Sequence, residues 1–110
     1  MSAIPVVVVE DDPDQLYMAQ KRLRSLGFEP LPAANGVEAL KVLSTRADVR
    51  HVVTDYSMPV LGGEAWIRVL ERFCTDCTIV VVSGEDIDPG PFVSIPKPPD
   101  FANIATYLRS

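Results

Sequence analysis

The period of the apolar positions changes several times along this chain, and each change marks an element. Val6-Val7-Val8-Val9 is an unbroken β-branched run, the pattern of a strand buried on both faces. At Asp12-Pro13 the period becomes helical, and Leu16, Ala19, Leu23 and Leu26 recur until Gly27 stops the helix. Asp12 suits the N-cap, Pro13 the first helical position and Gln15 the third. Phe28 to Leu31 reads as a short second strand. Asn35-Gly36 with Glu38 opens a second helix carrying Val37, Leu40 and Leu43. His51 to Thr54 is a third strand that runs into Asp55, and Pro59 with Gly62-Gly63 makes a loop. Glu64 to Phe73 reads as a helix with Trp66, Leu70 and Phe73 inward. Thr78 to Val82 is a fourth strand ending at Ser83, and Phe92 to Ile95 a fifth running towards Lys97. Asp100 caps a last helix with Phe101, Ile104 and Leu108.

This alternation predicts an α/β domain, a parallel sheet with helices on both faces, spanning residues 1–110 as one unit. A chain of 110 residues with 47% apolar and 23% charged positions supports one core without covalent staples. That composition excludes a disordered, collagenous or disulfide-scaffold protein. Two cysteines are too few for a framework, so a reducing, cytoplasmic setting is expected. The longest apolar run, Ala3 to Val9, is too short to span a bilayer, and no secretory signal is read; no membrane insertion is expected. Net charge is −5 and no basic stripe is present, so direct nucleic-acid binding is not expected. Lys21, Arg22 and Arg24 read as a solvated face near a helix C-terminus.

In open parallel sheets the chemistry gathers at the C-terminal ends of the strands, where the strand order reverses. The first strand ends in Glu10-Asp11, the third in Asp55, the fourth in Ser83, and the fifth leads into Lys97. With the first and third strands adjacent, these carboxylates converge beside a hydroxyl and an ammonium. Like charges about 4 Å apart repel by about 4 kcal/mol at an effective dielectric near 20, and a hard divalent cation removes that penalty. A carboxylate also serves as nucleophile in phosphoryl transfer, where a metal, a lysine and a hydroxyl share the developing charge.

At these residues the chain resembles a response-regulator receiver domain of bacterial two-component signalling. The matching pieces are VVVVEDD at 6–12, VVTDYSMPVLGG at 52–63, VVVSG at 80–84 and IPKP at 95–98, all in family order. The resemblance implies a flavodoxin-like, doubly wound sheet of five parallel strands in the order 2-1-3-4-5. It implies Asp55 as phosphoacceptor, with Glu10, Asp11, Asp55 and the backbone carbonyl of Ser57 as the Mg²⁺ site. Ser83 matches the switch hydroxyl, and Lys97 the lysine of a Lys-Pro pair whose peptide bond is cis. Phosphoryl transfer from a histidine kinase or phosphotransfer protein is implied, making the domain a signalling switch and not an enzyme. The competing readings are a pseudo-receiver that no longer uses phosphate and, more weakly, a small nucleotide- or flavin-binding α/β protein.

One stretch departs from the family. Between Ser83 and Phe92 stands only Gly-Glu-Asp-Ile-Asp-Pro-Gly-Pro, too short and too rich in proline and glycine for a crossover helix. Eight extended residues still reach about 28 Å, enough to return. The fourth helix is therefore expected to be lost or reduced to a turn. The family's aromatic switch position is Ser94, with Phe92 on the same strand face as a substitute. The acidic loop, with Ile87 its only sizeable apolar side chain, is expected to be mobile and to serve as output surface. The missing helix is expected to bare apolar surface suited to a partner or a second copy. Cys74 and Cys77 have redox spacing but lie after a helix, so they read as packing residues; His51 reads as an edge residue of its strand.

Overall fold

The computed structural model describes residues 3–110. Its elements are β1 (Ile4–Val9), α1 (Pro13–Ser25), β2 (Phe28–Ala33), α2 (Gly36–Thr45), β3 (His51–Asp55), α3 (Gly63–Phe73), β4 (Thr78–Ser83), β5 (Val93–Pro96) and α4 (Phe101–Arg109). The five strands form one parallel sheet in the order β2-β1-β3-β4-β5, as the alternation and the resemblance imply.

Strand parity divides the core. Val6, Val8, Val53, Val80, Val82 and Ile95 face α1 and α4, meeting Ala19, Leu23, Ile104 and Leu108. Val7, Val9, Val52, Ile79 and Val81 face α2 and α3, meeting Ala39, Trp66, Ile67 and Leu70. Both faces of β1 are therefore covered, which is why its sequence is a β-branched run and not an alternation. The helices begin where their caps sit. Asp12 Oδ1 accepts from the backbone N–H groups of Asp14 (2.9 Å) and Gln15 (3.3 Å). Asn35 caps α2 through Glu38 N–H (3.0 Å), while the Glu38 carboxylate accepts from Ala34 N–H (2.9 Å). Asp100 caps α4 in the same way.

Some expectations change. Phe73 is 73% exposed and Val37 43% exposed, so neither points inward. Phe73 is the last residue of α3, and Ala39 takes the inward place expected of Val37. β2 extends to Ala33, two residues beyond the expected end, because β1 pairs with it residue for residue from Ile4↔Phe28 to Val9↔Ala33. β5 is shifted by one residue and ends at Pro96.

The segment between β4 and β5 carries no helix among the described residues. It is nevertheless fastened. Ile87 and Phe92 pack over the α3-side core, Ser83 Oγ bonds both ways with Glu85, and Gly90 N–H reaches Asp88 (3.0 Å). The space beside it is not bare apolar surface. It is a groove lined largely by charged side chains, among them Glu64, Arg68, Glu71 and Arg72 of α3 and Glu85, Asp86 and Asp88 of the loop.

Candidate functional site

The same parity that divides the core assembles the site. Glu10 continues the Val6, Val8 face, Asp55 the Val53 face, and Lys97 the Ile95 face, so all three point to the α1 and α4 side at the C-terminal sheet edge. One ligand atom each from Glu10, Asp11 and Asp55 lies within 4.8 Å of the others. Asp55 is 6% exposed and Glu10 9% exposed. Lys97 Nζ stands 2.9 Å from Asp55 Oδ1, and apart from this ion pair no donor reaches that oxygen. Glu10 Oε2 is also buried without a partner.

This arrangement is electrostatically unfinished. Burial, then the Asp55 carboxylate and after it Asp11, push the Glu10 carboxyl up to about 7, with Lys97 opposing. Burial works against the charge on Lys97, but the carboxylates of Asp55, Glu10 and Asp11 raise its pKa. One ammonium faces three carboxylates. A buried Glu10 oxygen without a partner and an Asp55 oxygen met only by Lys97, in an all-oxygen set, suit a hard divalent cation, so the residues present fit Mg²⁺. Ser57, whose carbonyl the resemblance adds to the set, is exposed in the loop just after β3.

The backbone around Asp55 is pinned from several sides. Tyr56 N–H donates to Val82 O (2.9 Å), holding the end of β3 against β4. Lys97 N–H donates to Ser83 O (2.9 Å), which places the lysine directly beyond β5, and the Lys97-Pro98 peptide bond is cis. On the other face of β3, Trp66 Nε1 donates to Thr54 Oγ1 (2.8 Å), and Thr54 Oγ1 donates to Asp55 O (2.9 Å). This buried relay escapes a reading of the sequence. Trp66 there is simply a core residue; the only hint is a threonine inside an otherwise apolar strand. The loop from Tyr56 to Gly62 turns tightly, and a Cβ at Gly62 would lie 2.5 Å from Met58 O.

Ser83 ends β4 on the α3 side, and its hydroxyl is turned to its own loop, donating to Glu85 O (2.9 Å) and accepting from Glu85 N–H (3.1 Å). Ser94 is exposed, and Phe92 lies just before β5, packed against the α3-side core. Beside the carboxylates lies a largely apolar groove of about 540 Å³, walled by Met18 of α1, Val82, Pro98, Pro99 and Phe101.

The family profile described as response regulator receiver domain matches residues 6–91. The chain belongs to that family. The matched stretch ends inside the shortened segment, before β5, and it is the fold that carries Lys97 to Asp55 in this receiver. Over 84 residues the receiver is 38% identical to the transcriptional regulatory protein PrrA of Mycobacterium leprae, covering 76% of this chain and 35% of that protein. Sensor kinase CckA of Brucella abortus is 30% identical over 119 residues, covering 99% of this chain and 13% of the kinase. A chemotaxis protein CheY homolog of Campylobacter jejuni is 30% identical over 83 residues, covering 73% and 64%. The receiver thus spans about a third of the length of PrrA and a small part of CckA. In structure it matches a response regulator receiver domain protein of Clostridium thermocellum with a TM-score of 0.86 at 21% identity, covering 96% of this chain and 91% of that one. The receiver domain of hybrid histidine kinase CckA matches with a TM-score of 0.78 at 25% identity, covering 96% and 95%. Among the described residues no helix is long and apolar enough to cross a membrane.

Proposed function

We propose that this receiver accepts a phosphoryl group on Asp55, in a Mg²⁺-dependent transfer from the phosphohistidine of a histidine kinase or phosphotransfer protein, and works as a switch. The observation that supports this most is the buried Asp55 carboxylate, 2.9 Å from Lys97 Nζ and clustered with Glu10 and Asp11. An Asp55 oxygen attacks phosphorus as the P–N bond to the donor imidazole breaks, and the imidazole leaves with the electron pair and takes a proton from solvent. Lys97, beside Asp55, meets the negative charge of the transferring group. Glu10, Asp11, Asp55 and the Ser57 carbonyl would hold Mg²⁺, which when bound neutralises these carboxylates and a phosphoryl oxygen. The Trp66–Thr54 relay fixes the acceptor's backbone, so the carboxylate meets its donor in one orientation. The neighbouring apolar groove, with half-exposed Met18 at its rim, suits docking of the donor's helix beside its histidine. Ser83 would exchange its Glu85 contacts for a phosphoryl oxygen, and that exchange releases or re-seats the 84–91 segment.

The test is intact-mass spectrometry after incubation with acetyl or carbamoyl phosphate. A single added phosphoryl group with Mg²⁺, and none with a chelator, is the expected result. No labelling under any condition, with the fold intact, would leave the chain as a phosphate-independent interaction module.

A further inference from the structure

At the end of the sheet remote from the carboxylates, the chain leaves α3 and enters β4 through Cys74-Thr75-Asp76-Cys77. Both side chains are free thiols. Cys77 N–H donates to Cys74 O (3.4 Å), closing a turn across these four residues. Such a turn holds its first and last Cα atoms within about 7 Å, the span that a disulfide bridges. The two thiols differ in exposure: Cys74 is 5% exposed in the α3-side core, whereas Cys77 is partly exposed. The turn is braced. Thr78 N–H donates to Arg50 O (2.8 Å), and the Arg50 guanidinium is held on Ala47 O (2.8 Å).

We infer that Cys74 and Cys77 form a thiol–disulfide exchange site, with Cys77 as the attacked, partly exposed sulfur and Cys74 as the buried resolving one. The co-reactant is a low-molecular-weight disulfide. Cys77 Sγ, as thiolate, attacks one sulfur of that disulfide; its S–S bond breaks and one small thiolate leaves. Cys74 then loses its proton and attacks Cys77 Sγ, and the second small thiolate leaves. Two protein thiols are oxidised to one disulfide, the small disulfide is reduced to two thiols, and the two protons go to the departing thiolates.

The electrostatics support this order. The Cys74 thiol holds Cys77 down to about 7, aided by the charge of Arg50, while burial and Asp76 pull it up. Cys74 is raised, first by the neighbouring Cys77 and then by burial. Once Cys77 is spent in the mixed disulfide it carries no negative charge, and the main influence holding the proton on Cys74 is gone. Oxidation would then clip the C-cap of α3 to the residue just before β4, independently of Asp55.

The full chain is incubated at neutral pH with glutathione disulfide, quenched by acid alkylation and mapped by peptide mass. The expected product has lost two hydrogens and carries an internal Cys74–Cys77 link, and dithiothreitol reverses it. In Cys74→Ala the mixed disulfide on Cys77 should persist; in Cys77→Ser, Cys74 should stay unmodified while the protein is folded. Iodoacetamide on the native wild type should alkylate Cys77 at least tenfold faster than Cys74. Two thiols left free in excess oxidant, cross-links only between chains, or equal alkylation of both cysteines would overturn the proposal. If neither variant folds, the wild-type mapping and alkylation rates alone decide.

Discussion

Replacing Glu10 by Gln should stabilise the metal-free protein, although it removes a residue of the candidate site. In the folded state the Glu10 carboxyl is pushed from 4.5 up to about 7, first by burial and then by Asp55 and Asp11. In the unfolded chain it ionises near its ordinary value. Between these limits the native state holds the extra proton, so the stability that Glu10 contributes is fully present below about pH 4.5 and is lost as pH rises through 7. The full displacement amounts to about 3 kcal/mol. Solvent at the open side of the sheet edge screens part of this, leaving about 1–2 kcal/mol. Glutamine cannot ionise, keeps the volume and escapes the loss. In chelator, Glu10→Gln should therefore melt about 4–10 °C above wild type at pH 8. The advantage should shrink to a few tenths of a kcal/mol at about pH 4.5, where wild-type Glu10 is protonated when folded and about half protonated when unfolded. Adding Mg²⁺ at pH 8 should stabilise wild type and narrow or reverse the gap. Thermal and urea unfolding at the two pH values, with and without Mg²⁺, is the assay. A variant no more stable than wild type at pH 8, or equally favoured at both pH values, would refute the reasoning.

Three further perturbations probe other parts of the scaffold. Trp66→Phe removes the donor to Thr54 and leaves a void beside β3; urea unfolding should show a loss of about 1–3 kcal/mol, together with slower labelling of Asp55 by a small phosphodonor. Gly62→Ala would place a Cβ 2.5 Å from Met58 O and 2.7 Å from Met58 N, so the loop after Asp55 must shift, with about 1–3 kcal/mol lost in the same measurement. His51, whose Nδ1 is buried without a partner, has its pKa lowered by burial, with a bond to the Leu108 backbone opposing. Because the unfolded histidine takes up a proton more readily, wild type should lose stability as pH falls below about 6.5, and His51→Gln should lose less over that range.

The sheet was legible because its buried strands are short apolar runs that each end in a polar residue, and that pattern survives without knowledge of the fold. The residues Glu10, Asp11, Asp55 and Lys97 could be gathered from sequence because each follows directly on a strand of a parallel sheet; the resemblance supplied the strand order that makes them neighbours, and their roles. The missing helix was legible too, since Pro89, Gly90 and Pro91 forbid it locally. What escaped depends on where elements stop and how they cross. Phe73 continues the inward spacing of Trp66 and Leu70, yet α3 ends there and the ring is left in solvent. The Ile87 side chain turns into the core, and the Trp66–Thr54 relay forms, only because α3 lies over β3 and β4. Cys74 and Cys77 do pack in or against the α3-side core as read, and only the turn closed by Cys77 N–H on Cys74 O was not visible in the sequence.

The central claim is that Asp55 is the residue that accepts phosphate, and trapping the adduct tests it most directly. After labelling with acetyl phosphate and Mg²⁺, borohydride reduction converts an acyl phosphate to the corresponding alcohol, and peptide mass mapping locates it. Homoserine is expected at position 55 in wild type, with no reducible site in Asp55→Asn or in wild type treated with chelator. Reduction found at Asp11 or Asp12, or undiminished labelling of Asp55→Asn, would contradict that claim.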